Sequence, residues 1–362
     1  MRRSQKSQFD YHSYRGRTTL TDWLKRIALV LAVLVALAVA IVYFAPDLLP
    51  DSLPGPGSSS SQQGEPQSPD GSLPGGTEDP SSQPDVSQPQ EEQGASQPAS
   101  ALISVPLSAV LDGSAAQLLQ QAGADGAVVT MKDDAGALGW QSEQPLASQT
   151  MDGADAASGA LAQWLQGDVY AAARLSCFRD EALGSQMDYT LRTSSDYRWQ
   201  DGAGAHWTTP SNPAVREYLI GLMTELAQMG FDEIVLEHWG YPAQSDGPLD
   251  NLKHSEDNYP AGALDPVITD FLSQAAQALE PYGTRLSLAG AADMVSGVDF
   301  TTGLTAAASN TWADRLWVSG GSREEVTAAL ENAGIDNLAQ RLVLLTDALD
   351  PASQGAQAVW SE

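Results

Sequence analysis

Three observations predict an α/β fold, a (β/α)8 TIM-barrel-like domain, over residues 101–362. Short apolar runs alternate with longer amphipathic stretches. About eight such repeats fall within roughly 260 residues, the usual extent of an eightfold barrel. The runs are continuously apolar, as strands covered on both faces of a parallel sheet must be. A doubly wound open sheet is the alternative. No glycine-rich phosphate loop follows any predicted strand, so its nucleotide-binding form has no direct support.

In chain order, LISVPL (102–107) reads as the first strand, and SAAQLLQQAG (114–123) as a helix ended by glycine. GAVVTM (126–131) is a buried strand, GALAQWLQG (159–167) a helix and VYAAARLSCF (169–178) a strand. NPAVREYLIGLMTELAQMG (212–230) is a strong helix. Asn212 can cap it, Pro213 suits its first position and Gly230 closes it. Its apolar residues Val215, Leu219, Leu222, Met223, Leu226 and Met229 recur at helical spacing. DEIVLEHW (232–239) is the next strand. Helix 265–283 and strand 285–290 follow, then a helical stretch over 301–310 and strand 314–319. Residues 322–334 are helical, with Ser322 and Glu325 spaced as a capping box. RLVLLTD (341–347) is a strand, and AQAVWS (356–361) is the weakest and last.

The chain before this domain divides by composition. Residues 1–26 form a basic tail with seven Lys or Arg and two acids. An uninterrupted apolar run from Ile27 to Phe44 is about 27 Å long as a helix, close to the hydrocarbon thickness of a bilayer. No Lys or Arg recurs before Lys132, so the positive-inside rule places the N-terminus in the cytoplasm and the rest outside. Residues 27–45 are therefore expected to be an uncleaved transmembrane signal anchor, a cleaved signal peptide being the alternative. Residues 46–100, made of Pro, Ser, Gln and Gly with nine acids and no base, are expected to be a disordered linker. The expected location is the cell membrane, single-pass, with the C-terminal domain extracytoplasmic.

The domain carries 11 basic and 35 acidic residues, a formal charge of −24. Nucleic acid is excluded as a partner, because phosphate binding needs a basic face. The single cysteine, Cys177, lies in an apolar run with no His or Lys close by in sequence, and reads as a packed core thiol rather than a nucleophile.

In such a barrel the site lies at the C-terminal strand ends. Strand two ends in Lys132, Asp133 and Asp134. Strand three carries Arg174 and runs on to Arg179 and Asp180. Strand four ends in Glu237 and His238, strand five is followed by Asp293, and strand seven ends in Asp347. Acids at several strand ends suit glycoside hydrolysis, which needs two carboxylates flanking the scissile bond. Trp140, Trp207, Trp239 and Tyr241 are candidates to stack on sugar rings. Each acid also has a plainer use as a helix cap, and Trp239 as a cover for the barrel rim. A guanidinium inside an apolar strand needs a carboxylate partner, so Arg174 is harder to dismiss. Glu237 lies two residues after Val235, so both point to one face. Metal chemistry is weakly supported: the domain holds His206, His238 and His254, with no HxH or HxxxH pair. A metal-dependent deacetylase would need His238 or His254 to converge with Asp133 or Asp134. No G-x-S-x-G elbow marks a serine hydrolase.

Three segments together resemble a family. AVVTMKDDAGALGW (127–140), VYAAARLSCFRDEAL (169–183) and HWTTPSNPAVREYLIGLMTELAQMGFDEIVLEHWGYP (206–242) are similar to the KDDxG and GFDEIxFDYxRFP motifs of a glycoside-hydrolase-like family of bacterial exported TIM-barrel domains of unknown function. Lys132, Asp133, Asp134, Arg174, Asp180, Asp232 and Glu233 match the family's pattern. Its FDY aspartate falls on Glu237, its following arginine on Gly240 and its earlier aspartate on Thr209. The resemblance implies a barrel acting on a cell-envelope or environmental polysaccharide, such as a cell-wall glycan, with no cofactor. Glu237 would be nucleophile or general acid, and Asp293 or Asp347 its partner. Asp133, Asp134, Arg174, Asp180, His238, Trp239 and Tyr241 would contact or orient substrate. The alternative, favoured by Gly240 and Thr209, is a degenerate barrel that binds glycan or scaffolds envelope proteins.

Overall fold

A computed structural model describes residues 97–360. The expected tail, anchor and most of the linker lie outside them, and no helix among the described residues is long and apolar enough to cross a membrane. Eight parallel strands close into a barrel: β1 (Ala101–Ser104), β2 (Gly126–Lys132), β3 (Tyr170–Ser176), β4 (Glu233–Glu237), β5 (Arg285–Ala291), β6 (Arg315–Ser319), β7 (Leu342–Thr346) and β8 (Gln357–Val359). The weak eighth strand closes the ring. It pairs with β7 through Leu345 and Ala358, and with β1 through Leu102 and Ala358.

Side chains alternate faces along each strand, and the alternation builds the barrel in layers. Leu102, Val128, Ala172, Val235, Ala289, Trp317, Val343 and Ala358, one from each strand, pack together inside. Their neighbours Ala127, Val129, Ala173, Ile234, Leu236, Leu288 and Val318 point outward and pack with the helices. Two residues earlier along the strands lies a polar bottom layer. Here Glu233 accepts from Tyr170 Oη (2.8 Å), Ser287 Oγ (2.5 Å), Arg315 Nη1 (2.9 Å) and, from the layer above, Trp317 Nε1 (2.8 Å). Glu233 and Arg315 are 0% and 3% exposed. A buried ion pair is sustained when hydrogen bonds satisfy its remaining atoms, and four donors do so for this carboxylate.

The helix Pro213–Met229 forms as its spacing predicts. Asn212 accepts from the Ala214 amide at 3.0 Å, and Gly230 ends the helix at φ 107°, a left-handed turn that glycine takes without strain. It buries Leu219, Leu222, Met223 and Leu226, each large apolar side chain contributing about 1.5–3 kcal/mol. Ser322 and Glu325 make the expected capping box.

Two expected helices start elsewhere. The helix set at 159–167 begins at Ala154, after Gly153 turns left-handed. The stretch 301–310 is broken: a 3-10 turn covers Phe300–Thr302, Gly303 turns at φ 82°, and the helix runs Ala306–Trp312, capped by Thr305. A side chain at Gly303 would press on Ile268, which fixes the break.

Candidate active site

Two residues above the apolar layer, at the C-terminal strand ends, lie Ser104, Thr130, Arg174, Glu237, Ser319, Leu345 and Trp360. All seven line an open cleft of about 1180 Å³. This exceeds the ~300–1,000 Å³ of pockets for single small ligands. Asp133, Asp134, Arg179, His238 and Asp347 complete its walls.

The floor is built on Arg174 and Glu237. Both extend the inward-facing register of β3 and β4, so the barrel pleat places them side by side: Arg174 pairs with Val235 and Ser176 with Glu237 in the ladder. Arg174 Nε donates to Glu237 Oε2 at 2.5 Å. The guanidinium also lies over the Trp360 ring, 4.6 Å from its centroid, and that ring meets Trp317 edge-on at 5.5 Å. The two tryptophans thus tie the cleft floor to the layer beneath it.

The wall beside Glu237 comes from the loops after β2, β3 and β4. Asp134 pairs with Arg179 Nη1, and Arg179 Nε reaches Asp201 at 2.7 Å. Asp134 Oδ1 lies 3.5 Å from His238 Nδ1, which is also 3.1 Å from Ser176 Oγ. His238 has a left-handed backbone at φ 48°, and Trp207 meets its ring edge-on at 5.2 Å. Burial pushes its imidazole pKa down to about 4; Asp134 and Asp201 oppose this, while Arg179 and Arg174 reinforce it. The ring is therefore neutral at neutral pH. Asp133 Oδ1 holds its own turn together by accepting from the Ala137 amide at 2.8 Å. Asp347 is exposed at the rim.

Several expected site residues are structural or lie elsewhere. Asp293 is exposed on the short helix Ala292–Val295, accepts from the Met294 amide and is not among the cleft's lining residues. Asp180 is 1% exposed: its carboxylate accepts from the Leu183 amide at 2.9 Å and pairs with the fully buried Lys132 at 2.8 Å. Lys132 also donates to the Ser176 carbonyl at 2.7 Å, so it ties the β2 and β3 ends together. Trp239 and Tyr241 are 1% and 2% exposed. Trp239 donates to the Ala289 carbonyl at 3.1 Å, and the Tyr241 hydroxyl bonds Ser211 at 2.7 Å; neither faces the cleft. Trp140 and Trp207 are buried as well. They pack the loops instead of presenting faces to a sugar. His254 is exposed against Tyr259 and does not join the aspartates after β2. Among the described residues no three His, Cys, Asp or Glu side chains converge as a metal site. Cys177 is buried, and burial raises its thiol pKa to about 12.

Gly240, where the family resemblance expects arginine, has no room for any side chain. A Cβ there would stand 2.5 Å from the Thr302 carbonyl oxygen, and the next residue's amide donates to that same oxygen at 3.0 Å. Trp360 is the aromatic that the sequence reading passed over. Its signal was present: it lies two residues after Ala358, hence on the same inward face.

The family model described as "Putative glycosyl hydrolase domain" matches residues 110–295, just over half of the chain. No curated protein matches the sequence. Among solved structures, a hypothetical protein from Ruminiclostridium thermocellum is similar at 22% identity, covering 51% of this chain and 96% of its own, with a TM-score of 0.43. The PgaB (BpsB) glycoside hydrolase domain from Bordetella bronchiseptica is similar at 13% identity over 68% of this chain and 84% of that domain, with a TM-score of 0.47. A GH20 exo-β-N-acetylglucosaminidase from Vibrio harveyi matches at 12% identity over 68% of this chain, with a TM-score of 0.42. That match spans 40% of the Vibrio enzyme's length.

Proposed function

The chain belongs to this glycosyl hydrolase domain family, and we propose on that premise that it is a membrane-anchored, extracytoplasmic glycoside hydrolase that cleaves a polysaccharide in the cleft above its barrel. One observation carries the reading: the Arg174–Glu237 pair on the floor of an open cleft of about 1180 Å³ edged by further carboxylates. The basic tail and the apolar run at 27–45 support the anchor and its orientation.

In this reading Glu237 acts as an anion. The guanidinium of Arg174, with Nε 2.5 Å from Oε2, favours the charged carboxylate over the protonated acid that a general acid must be. Glu237 is thus assigned as the nucleophile, or as the base that activates water. Asp347, across the mouth at the end of β7, is its acid partner; Asp293 is not, lying outside the cleft. Arg174 positions Glu237, Trp360 stacks on a sugar ring, and Asp133 and Asp134 accept hydrogen bonds from hydroxyls.

A binding-only barrel is the second reading, favoured by the missing cation at Gly240, which the packing against Thr302 forbids. Reducing-end release from a panel of cell-wall and plant glycans, measured with the full chain in detergent, separates the two. Hydrolysis supports the enzyme. Saturable binding without release of any reducing end would establish the binding barrel instead.

A further inference from the structure

His238 follows Glu237 and lines the same cleft wall, its side chain 24% exposed. Its left-handed backbone is uncommon for a residue with a side chain, and it turns the ring back toward the loops after β2 and β3. Nδ1 faces two groups there, and both are placed to accept from it. The Ser176 hydroxyl has one hydrogen, and the Arg179 carbonyl, which can only accept, lies nearer to it (2.9 Å) than Nδ1 does (3.1 Å). The Asp134 carboxylate is paired with the Arg179 guanidinium and can only accept. A ring nitrogen between two acceptors must itself be the donor. The single ring proton of neutral His238 therefore sits on Nδ1, and Nε2 keeps its lone pair. Nε2 makes no hydrogen bond to any described residue. The charged groups around the ring, Asp134 and Asp201 on one side of the balance and Arg179 and Arg174 on the other, leave it neutral in its partly buried setting.

Resting on the glycoside-hydrolase reading, we infer that His238 Nε2 is a fixed hydrogen-bond acceptor for a substrate hydroxyl beside Glu237, so that this subsite takes glycans with a free hydroxyl there and rejects those in which it is O-acylated. An ester oxygen offers no hydrogen. Bringing it against Nε2 would set acceptor against acceptor, the kind of mismatch by which buried polar sites discriminate most strongly. Trp207, edge-on to the ring, and Ser176, at Nδ1, hold the acceptor in place.

The test is long-range proton–nitrogen NMR on the full chain in detergent with 15N-histidine. The chain has four histidines. A His238→Asn variant assigns the signal, since asparagine tolerates the left-handed backbone. The free protein should show a protonated, pyrrole-type Nδ1 and an unprotonated, pyridine-type Nε2. Cellohexaose, chitohexaose and xylohexaose are then titrated, with binding followed independently by tryptophan fluorescence. A bound hexaose should shift Nε2 toward the hydrogen-bonded position, and its O-acetylated form should bind at least about tenfold more weakly. A protonated Nε2 in the free protein overturns the inference. So does a hexaose that binds without moving Nε2, and this result leaves the hydrolase reading standing. The expected tautomer with no binding of any hexaose overturns the hydrolase reading and takes the inference with it. The tautomer is read on the unsubstituted protein, so a misfolded variant does not spoil the test.

Discussion

Trp360 and His238 show how single residues shape the cleft. Trp360 supports Arg174 from one side and is the aromatic that lines the cleft, whereas Trp239 and Tyr241 are buried in packing. Trp360→Ala should raise KM for a glycan roughly two- to tenfold with a smaller effect on kcat, from the ~0.5–1.5 kcal/mol that an aromatic contact supplies; initial-rate kinetics on the preferred glycan check this. His238 should make stability depend on pH. Its pKa is about 4 folded against about 6.5 for an ordinary histidine, so the unfolded chain takes up the proton first as pH falls. The contribution of this residue to stability is therefore lost between about pH 6.5 and 4, and is constant above and below. Urea unfolding across that window should show a steeper acid loss for the parent protein than for His238→Asn. The pairing of Arg174 was legible in the sequence, because a guanidinium in an apolar strand demands a carboxylate. The hydrogen bonding of His238 was not, because Ser176 reaches it from the end of β3 and Asp134 from the loop after β2.

Strands and helices were legible to the extent that burial alone defines them. The continuous apolar runs of β2, β3 and β4 mark strands covered on both faces, and the glycine and proline signals bound the helix after β3 closely. The break at Gly303 was not legible, since it is set by contact with Ile268 on another helix. The polar bottom of the barrel was equally hidden. Glu233 matched a motif, yet its function as the shared acceptor of Tyr170, Ser287, Arg315 and Trp317 depends on registers across β3 to β6. Glu233→Ala leaves the Arg315 guanidinium without its carboxylate partner, and should cost about 3–5 kcal/mol. The midpoint of urea denaturation measures this. An unchanged midpoint would show that the barrel floor does not depend on the pair.

For the whole molecule, an acidic domain of formal charge −24 fits a surface that meets an uncharged polymer better than one that grips phosphate. In the proposed reading the chemistry lies at the top of the ring, with Glu237 as its central element. The most direct measurement is turnover of the preferred glycan by Glu237→Gln beside the parent chain, with circular dichroism reporting the fold and fluorescence reporting glycan binding. The account predicts a kcat about 10²–10⁴-fold lower, with fold and binding retained. A folded Glu237→Gln protein that still turns over the glycan at the parent rate would contradict it.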